Sequence, residues 1–264
     1  MASTPTPQAK ADVGRVIGRG FEALKANFLP FFGVALLLAG VPGFLIQYLT
    51  FSGIQTMDPN FILSWSYWGP LLGTLFAMML AGALLQGVLV RSTILHLSGR
   101  DADIGASLWF GLRLLLPIIG VTICVSVLVV GGFFLLIVPG VMIYCALIVS
   151  IPALVEERRG VFGSIGRSRE LTRGSRWQVF LLLVLFWIFS SIISAVLGVI
   201  TGATMTITPG GMPAMPDPIL AGAVNAIASS LTTVIIAVVL AALYVELREV
   251  KEGATPNDLA DVFA

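Results

Sequence analysis

Long apolar runs dominate this chain, and short polar segments separate them in a regular order. Six runs come close to the ~20 residues that a helix needs to cross a bilayer. They lie at residues 28–49, 70–95, 114–138, 141–155, 177–200 and 219–245. The fourth run is short, so it tilts less, thins the bilayer locally, or begins inside the preceding turn. The pattern predicts an all-α polytopic membrane protein with six transmembrane helices.

Amphipathic segments precede the first, third and fifth apolar runs, at residues 11–27, 98–113 and 160–176. Each places apolar side chains on one helical stripe, which is typical of a helix lying on a membrane surface. The stripes are Val13, Val16, Ile17, Gly20, Phe21 and Leu24, then Ile104, Leu108 and Leu112, then Phe162, Ile165, Ser168 and Leu171. We therefore expect three interfacial helices whose stripes face the membrane.

Pro-Gly pairs interrupt two of the apolar runs. Pro42-Gly43 predicts a break in the first crossing, and Pro139-Gly140 predicts a tight turn between the third and fourth. The segment VPGFLIQY at Val41 is similar to VPGVMIYC at Val138. In addition, the order of segments repeats, because an interfacial helix followed by two crossings occurs three times along the chain. We interpret this as a threefold repeat, with composition alone as the alternative explanation.

The polar ends of the chain set the expected domain organisation. Residues 1–11 are rich in Ser, Thr and Pro and predict a disordered tail without the features of a cleaved secretory signal. The first apolar helix is thus expected to be retained. Residues 12–250 form a single six-span membrane domain, and residues 251–264 form a cytoplasmic tail.

Composition supports the bilayer as the solvent of this protein. The chain is 57% hydrophobic and 11% charged, whereas a soluble domain has about 25% charged residues. The formal net charge of +1 gives no basic field of the kind that binds nucleic acid. We therefore expect no nucleic-acid partner.

The placement of the basic residues predicts the topology. With six crossings, all 15 Lys and Arg residues fall on one side of the membrane, and the other side holds only Asp58 and Asp217. The positive-inside rule then places both termini in the cytoplasm, as in a multi-pass protein of the cell's inner membrane.

Arginines cluster around the third amphipathic segment. Arg167, Arg169, Arg173 and Arg176 form a basic collar at the expected membrane surface, where each basic residue attracts anionic headgroups by ~1 kcal/mol. The alternative is that these arginines only set the topology. One of the carboxylates Glu156, Glu157 and Glu170 is expected to pair with Arg167 or Arg169. That pair would lock the third amphipathic helix to the end of the fourth crossing.

Small residues recur every four positions on the last two crossings. The two sets are Ser190, Ser194, Gly198 and Gly202 on the fifth, and Gly222, Ala226 and Ser230 on the sixth. Such spacing lets helices approach closely in lipid. It predicts a packed hairpin of the fifth and sixth helices. A homo-oligomer through one of these faces is an alternative, and so is the plain abundance of small residues.

The sequence offers no constellation for catalysis or for metal and cofactor binding. His96 is the single histidine, Cys124 and Cys145 lie inside apolar runs, and no ionisable residue lies clearly at mid-membrane. The last point counts against a pump or a proton-driven transporter. It leaves open a passive path lined by polar side chains of the crossings. These are Gln86, Thr122, Ser126, Asn225, Ser229 and Thr233.

Short motifs give the chain a family likeness. They are Pro139-Gly140, Pro152, Glu156 or Glu157, Arg167-Ser168, Leu171, Gly174 and Trp177, followed near the end by Leu247-Arg248, Lys251-Glu252-Gly253, Leu259 and Phe263. The pattern resembles the membrane domain fused to some bacterial glycerophosphoryl diester phosphodiesterases, and related stand-alone six-span proteins. The resemblance implies a membrane module that engages phospholipid or its breakdown products, or that anchors a partner enzyme. The phosphodiesterase barrel and its catalytic residues have no counterpart here, so no hydrolase activity is expected.

Two functional hypotheses follow. The first is a non-enzymatic lipid-engaging or scaffolding module whose arginine collar contacts anionic phospholipid headgroups. The second is a passive transporter or channel for a small solute. The first rests on the arginine density and the family likeness, and the second on the repeat and the Pro-Gly breaks.

Overall fold

The computed structural model describes residues 10–55, 64–100, 103–202 and 218–253. Most of the predicted N-terminal tail, most of the loop between the fifth and sixth crossings and most of the C-terminal tail therefore lie outside the described residues. Within them every regular element is a helix, and no strand occurs. The prediction of an all-α protein is confirmed.

The helices follow the apolar pattern closely. In chain order they are α1 (Val13–Ala35), a π-helical turn (Leu36–Gly40), α2 (Val41–Gln55), α3 (Trp65–Leu97), α4 (Ile104–Arg113), α5 (Leu115–Leu135), α6 (Ile137–Leu147), α7 (Ser150–Glu157), α8 (Gly160–Thr172), α9 (Arg176–Gly202) and α10 (Pro218–Glu252). Six segments of the described chain are long and apolar enough to cross a membrane: Val13–Leu49, Trp65–Leu97, Leu115–Leu135, Ile137–Glu157, Arg176–Val199 and Ile219–Glu252. The protein is a multi-pass membrane protein with six spans.

The chain divides into two compact units. The basic unit consists of Met1–Ala26, Gln86–Leu185 and Ala237–Ala264. The apolar unit consists of Asn27–Leu85 and Phe186–Ile236. All 15 Lys and Arg residues of the sequence belong to the basic unit. Its core includes Val16, Val90, Val149, Leu171, Tyr244 and Leu247.

A kink separates the predicted interfacial segment of α1 from the first crossing. Asn27 leaves the helical region, with φ −123° and ψ 23°. Pro30 lies three residues further on, where its ring would clash with the carbonyl of residue 26 in a regular helix. The break makes Pro30 part of a new first turn, in which no backbone donor is needed. The predicted boundary at residue 27 is thereby confirmed.

The break predicted at Pro42-Gly43 takes the form of a wide turn instead of a gap. The π-helical turn Leu36–Gly40 ends two residues before Pro42, and the N–H of the intervening Val41 donates to the Leu36 carbonyl. Proline lacks an N–H and crowds the carbonyl four residues before it. The wider turn absorbs this defect, as π-bulges inside helices do.

The turn predicted at Pro139-Gly140 is wrong by three residues. Leu136 is the extended residue between α5 and α6, with φ −169° and ψ 156°. Pro139 lies in the first turn of α6, where proline is well tolerated because those N–H groups have no intrahelical acceptor. The fourth span therefore begins at Ile137 and reaches Glu157. Of the three explanations for its apparent shortness, a start inside the preceding turn is confirmed.

Gly140 allows α5 and α6 to touch at this hairpin. A Cβ atom at Gly140 would lie 2.6 Å from Cγ of Phe133, and one at Gly132 would lie 3.0 Å from Cα of Gly140. Real Cβ atoms essentially never come as close as the first contact, and seldom as close as the second. The Pro-Gly pair thus starts one helix and fits it against the preceding one.

Replacing Gly140 by alanine is expected to destabilise the protein by about 1–3 kcal/mol, since the added methyl group overpacks the hairpin. The free energy of unfolding of the full chain in mixed micelles measures the effect. Gly131 to alanine is the matched control, because no atom lies within 4 Å of its added Cβ. Equal losses for both variants would contradict the close contact.

The stripes of the short helices differ in what they face. In α8, Ile165, Ser168 and Leu171 are buried in the protein, and only Phe162 is exposed. The prediction that this stripe faces the membrane is wrong for those three residues, because α8 packs against α6 and α7. In α4 the buried positions are the small residues Ser107 and Gly111. The larger side chains of its predicted stripe, Leu108 and Leu112, are exposed.

The small face of α10 packs within the apolar unit. Gly222, Ala226 and Ser230 are buried. A Cβ at Gly222 would lie 2.8 Å from the Phe44 ring, and the Ser230 hydroxyl lies 3.3 Å from the Ala35 carbonyl. These contacts join α10 to the first crossing.

The matching face of α9 has fewer neighbours. Ser190 is partly buried, Ser194 and Gly198 are exposed, and Gly202 lies at the helix end. No atom lies within 4 Å of a Cβ built on Gly198. Packing of this face against α10 stays a prediction.

Candidate functional site

The arginine-rich segment is shaped by two turns that flank α8. Arg158 ends α7 in the left-handed region, with φ 51° and ψ 29°, and Gly160 follows with φ 74°. After α8, Arg173 is extended, Gly174 has φ 95°, and the Ser175 N–H donates to the Thr172 carbonyl. This is a type II turn, which favours glycine at its third position. Glycine is thus favoured at position 174 of the motif because the turn requires a positive φ there.

Glu157 is the centre of a charged cluster at the end of α7. Its carboxylate accepts a hydrogen bond from Arg167 Nε at 2.7 Å and one from the Tyr244 hydroxyl at 3.0 Å. Arg159 Nε lies 2.8 Å from the second carboxylate oxygen. The predicted lock between the end of the fourth crossing and the third amphipathic helix is confirmed as the Glu157–Arg167 pair.

Arg167 is surrounded by carboxylates. Besides Glu157, it pairs with Glu252 of α10, and Glu170 lies 3.6 Å away. Burial acts to lower the pKa of Arg167, but the hydrogen bond and charge of Glu157 outweigh it and hold that pKa above its ordinary value. The guanidinium therefore stays charged and is engaged inside the protein. Among the four collar arginines, it is the one whose charge is already compensated.

The other three collar arginines form no ion pair among the described residues. Arg169 and Arg173 are exposed and Arg176 is partly buried. The Nε atom of Arg176 is buried and has no hydrogen-bond partner within the described part of the chain. A buried donor without an acceptor is uncommon in proteins and costs free energy. An acceptor supplied by a bound molecule would remove that cost.

Two grooves meet at Arg176. One has a volume of about 270 Å³, and its apolar lining includes Val141, Trp177 and Phe180. The other, of about 480 Å³, is lined by Arg169 together with Pro139. Both grooves share Val138, Met142 and Arg176. The first groove therefore offers an apolar surface that leads to the guanidinium groups of Arg169 and Arg176.

The remaining motif residues serve the local structure. The Ser168 hydroxyl donates to the Ala146 carbonyl at 2.8 Å, and Ala146 lies in the last turn of α6, where carbonyls lack intrahelical donors. Pro152 is buried in the first turn of α7. Trp177 is exposed and meets Phe180 edge-on, with ring centroids 5.9 Å apart. Hence the motif residues build the hairpin, the lock and one wall of the groove.

A second charged cluster was not predicted. The Glu246 side chain is fully buried, and it lies 3.3 Å from Arg19 and 3.6 Å from Arg15. It also accepts a hydrogen bond from the Asp12 N–H at 3.2 Å. The sequence signal for it was a carboxylate directly after an apolar run, with arginines off the stripe of the first amphipathic segment. The pairing itself joins opposite ends of the chain.

Other candidate residues have ordinary environments. The hydroxyls of Thr122 and Thr233 donate to carbonyls one turn back in their own helices, as is usual for polar side chains in apolar helices. No group of three or more His, Cys, Asp or Glu residues in the described ranges is arranged to hold a metal ion. A solute path through these positions stays a prediction.

Comparison with known proteins places the chain in a family. The model of the family described as "Domain of unknown function (DUF7847)" matches residues 11–247. The chain belongs to DUF7847. No curated protein and no solved structure matches it. The DUF7847 match makes no link to glycerophosphoryl diester phosphodiesterases, so that resemblance stays a prediction.

Proposed function

We propose that this DUF7847 protein is a non-enzymatic, lipid-engaging module that binds an anionic phospholipid in the groove beside Arg176. The bound lipid would place its phosphate between Arg169 and Arg176 and an acyl chain along Met142, Trp177 and Phe180. The observation that carries the proposal is the buried Arg176 Nε at the junction of the two grooves, which has no hydrogen-bond partner among the described residues. The family likeness found in the sequence points to the same class of ligand.

Electrostatics favour an anionic lipid over a neutral one. Arg169, Arg173 and Arg176 bring three positive charges to one end of α8 and the start of α9, and no carboxylate among the described residues pairs with them. Guanidinium groups bind phosphate oxygens through paired hydrogen bonds. The exposed Trp177 fits the headgroup level, where tryptophan is enriched. The density of basic residues supports a cytoplasmic position for this surface by the positive-inside rule, and we propose the inner membrane as its location.

Replacing Arg169 and Arg176 together by glutamine is expected to weaken binding of phosphatidylglycerol about thirtyfold. The estimate takes ~1 kcal/mol for each basic residue near the headgroups. Native mass spectrometry of the full chain, released from nanodiscs of phosphatidylglycerol and phosphatidylcholine, counts the retained lipids. Retention of anionic lipid by the double variant at the wild-type level would overturn the proposal.

Two controls separate the groove from general surface charge. Lys25 and Lys251 to glutamine remove two exposed basic charges outside the groove, and this variant should keep its lipid. Met142 to tryptophan fills the apolar groove and leaves the arginines in place. It should reduce lipid retention while the protein stays folded. If the lysine variant loses its anionic lipid and the tryptophan variant retains it, the lipid is held by unspecific attraction to surface charge and not by the groove.

A further inference from the structure

A second basic cavity lies elsewhere in the basic unit and shares no residue with the lipid groove. Its volume is about 130 Å³, whereas one water molecule needs only about 10–15 Å³ of such volume. Three helical segments build it: α3 contributes Arg91, α4 contributes Phe110, and the end of α7 contributes Arg158. We propose that this cavity binds a phosphate-class oxyanion.

Two guanidinium groups are held on one aromatic ring. Arg91 Cζ lies 3.8 Å from the centroid of Phe110, and Arg158 Cζ lies 4.9 Å from it. Stacking on an aromatic ring fixes the plane of a guanidinium and leaves its N–H edge free to donate. Neither arginine forms a hydrogen bond or an ion pair with another described residue. The stacked pair is therefore preorganised for an anion with several acceptor oxygens.

One carboxylate lines the cavity, and it offsets only part of the charge of this pair. Glu156 lines the cavity, but the cation within 4 Å of its carboxylate is Arg248, at 3.8 Å. Arg100 also lines the cavity. The Ser98 hydroxyl already donates to the Ile94 carbonyl at 2.8 Å. The donors available to a ligand are thus those of Arg91 and Arg158, and Glu156 is the one carboxylate among the described residues that line the cavity.

The backbone at Arg158 supports a role for its side chain. Its φ of 51° lies in the left-handed region, which a side chain disfavours and glycine accepts readily. Helix ends commonly place glycine at such a position. Here the position carries an arginine whose guanidinium reaches the cavity. Strained residues of this kind are concentrated at functional sites.

The same backbone strain supplies a clean test. Arg158 to glycine removes the guanidinium and relieves the left-handed backbone, so the variant is expected to fold at least as well as the wild type. Titration of inorganic phosphate into the full chain in neutral detergent micelles, at constant ionic strength, is measured by isothermal calorimetry. The variants Arg158→Gly and Arg91→Gln should each weaken phosphate binding by about tenfold or more.

The matched control is Arg113 to glutamine. Arg113 is also stacked on an aromatic ring of α4, with Cζ 5.2 Å from the centroid of Trp109, but it does not line the cavity. This variant should bind phosphate like the wild type. The Arg169→Gln and Arg176→Gln double variant should keep the phosphate binding that Arg158→Gly removes, which separates this proposal from that of the lipid groove.

A second arm distinguishes a free phosphate from a lipid headgroup. If inorganic phosphate shows no saturable binding, the full chain is tested in nanodiscs that contain phosphatidic acid. Retention of that lipid, lost in Arg158→Gly and kept in Arg113→Gln, would assign the cavity to a headgroup phosphate. Binding of neither probe, or equal binding by the wild type and the Arg158→Gly variant, would overturn the proposal.

Discussion

Replacing Glu157 by glutamine is expected to lower the free energy of unfolding by about 3 kcal/mol. The carboxylate joins the end of the fourth crossing to α8 and α10 through Arg167 and Tyr244. The Glu157 and Arg167 side chains are 10% and 12% exposed, so solvent replaces little of the lost interaction. Without this carboxylate, the buried Arg167 guanidinium keeps only Glu252 and Glu170, which are 34% and 69% exposed and compensate a buried charge only in part. The full chain is unfolded in mixed micelles with a rising fraction of denaturing detergent. Circular dichroism monitors the unfolding and gives the loss of free energy.

Glu170 to glutamine is the matched control for this experiment. Glu170 also approaches Arg167, at 3.6 Å, but its side chain is 69% exposed, and such pairs contribute about 0–1 kcal/mol. The double variant of Glu157 and Arg167 should lose less than the sum of the single variants, because both break the same interaction. Equal losses for the Glu157 and Glu170 variants, or strict additivity, would contradict a buried lock.

Features that depend on residues close to one another in the sequence were predictable. The six spans follow from the length of apolar runs, and the kink at Asn27 follows from the change of pattern there. The Glu157–Arg167 pair was also accessible, since its members are ten positions apart and both lie at the expected membrane surface. In each case the physical cause is local. A helical period, a run length or a short spacing carries the information.

Features that depend on which helices become neighbours were not predictable. An amphipathic stripe looks the same whether lipid or another helix covers it, so Ile165 and Leu171 were assigned to the membrane although they pack inward. The residues of the Arg91–Phe110–Arg158 stack lie on three separate segments, and no sequence spacing predicts that they meet. The Pro-Gly pair at residue 139 is equally compatible with a turn and with a helix start. The extended residue, Leu136, carries no signal of its own.

The second large effect is expected at Arg19, which pairs with Glu249 at 2.8 Å and with the fully buried Glu246, 227 positions away, at 3.3 Å. Arg19 to glutamine should lower the free energy of unfolding by about 3 kcal/mol, since it leaves the fully buried carboxylate of Glu246 without its nearest cation. Arg15 lies 3.6 Å from that carboxylate, but its side chain is 54% exposed and compensates only in part. The same unfolding measurement in mixed micelles tests the prediction.

Lys25 to glutamine is the control, because it removes a basic charge from the exposed face of the same helix. A rescue variant separates burial of an unpaired charge from loss of helix packing. Arg19 to methionine combined with Glu246 to leucine removes the buried pair, and Glu249 to glutamine in the same variant removes the other carboxylate that pairs with Arg19. Replacing a buried ion pair with apolar residues is often neutral or stabilising. This rescue variant should therefore regain most of the lost stability. If it is as unstable as the Arg19→Gln variant, the pair acts through packing, and the N-terminal helix is not held to α10 by charge.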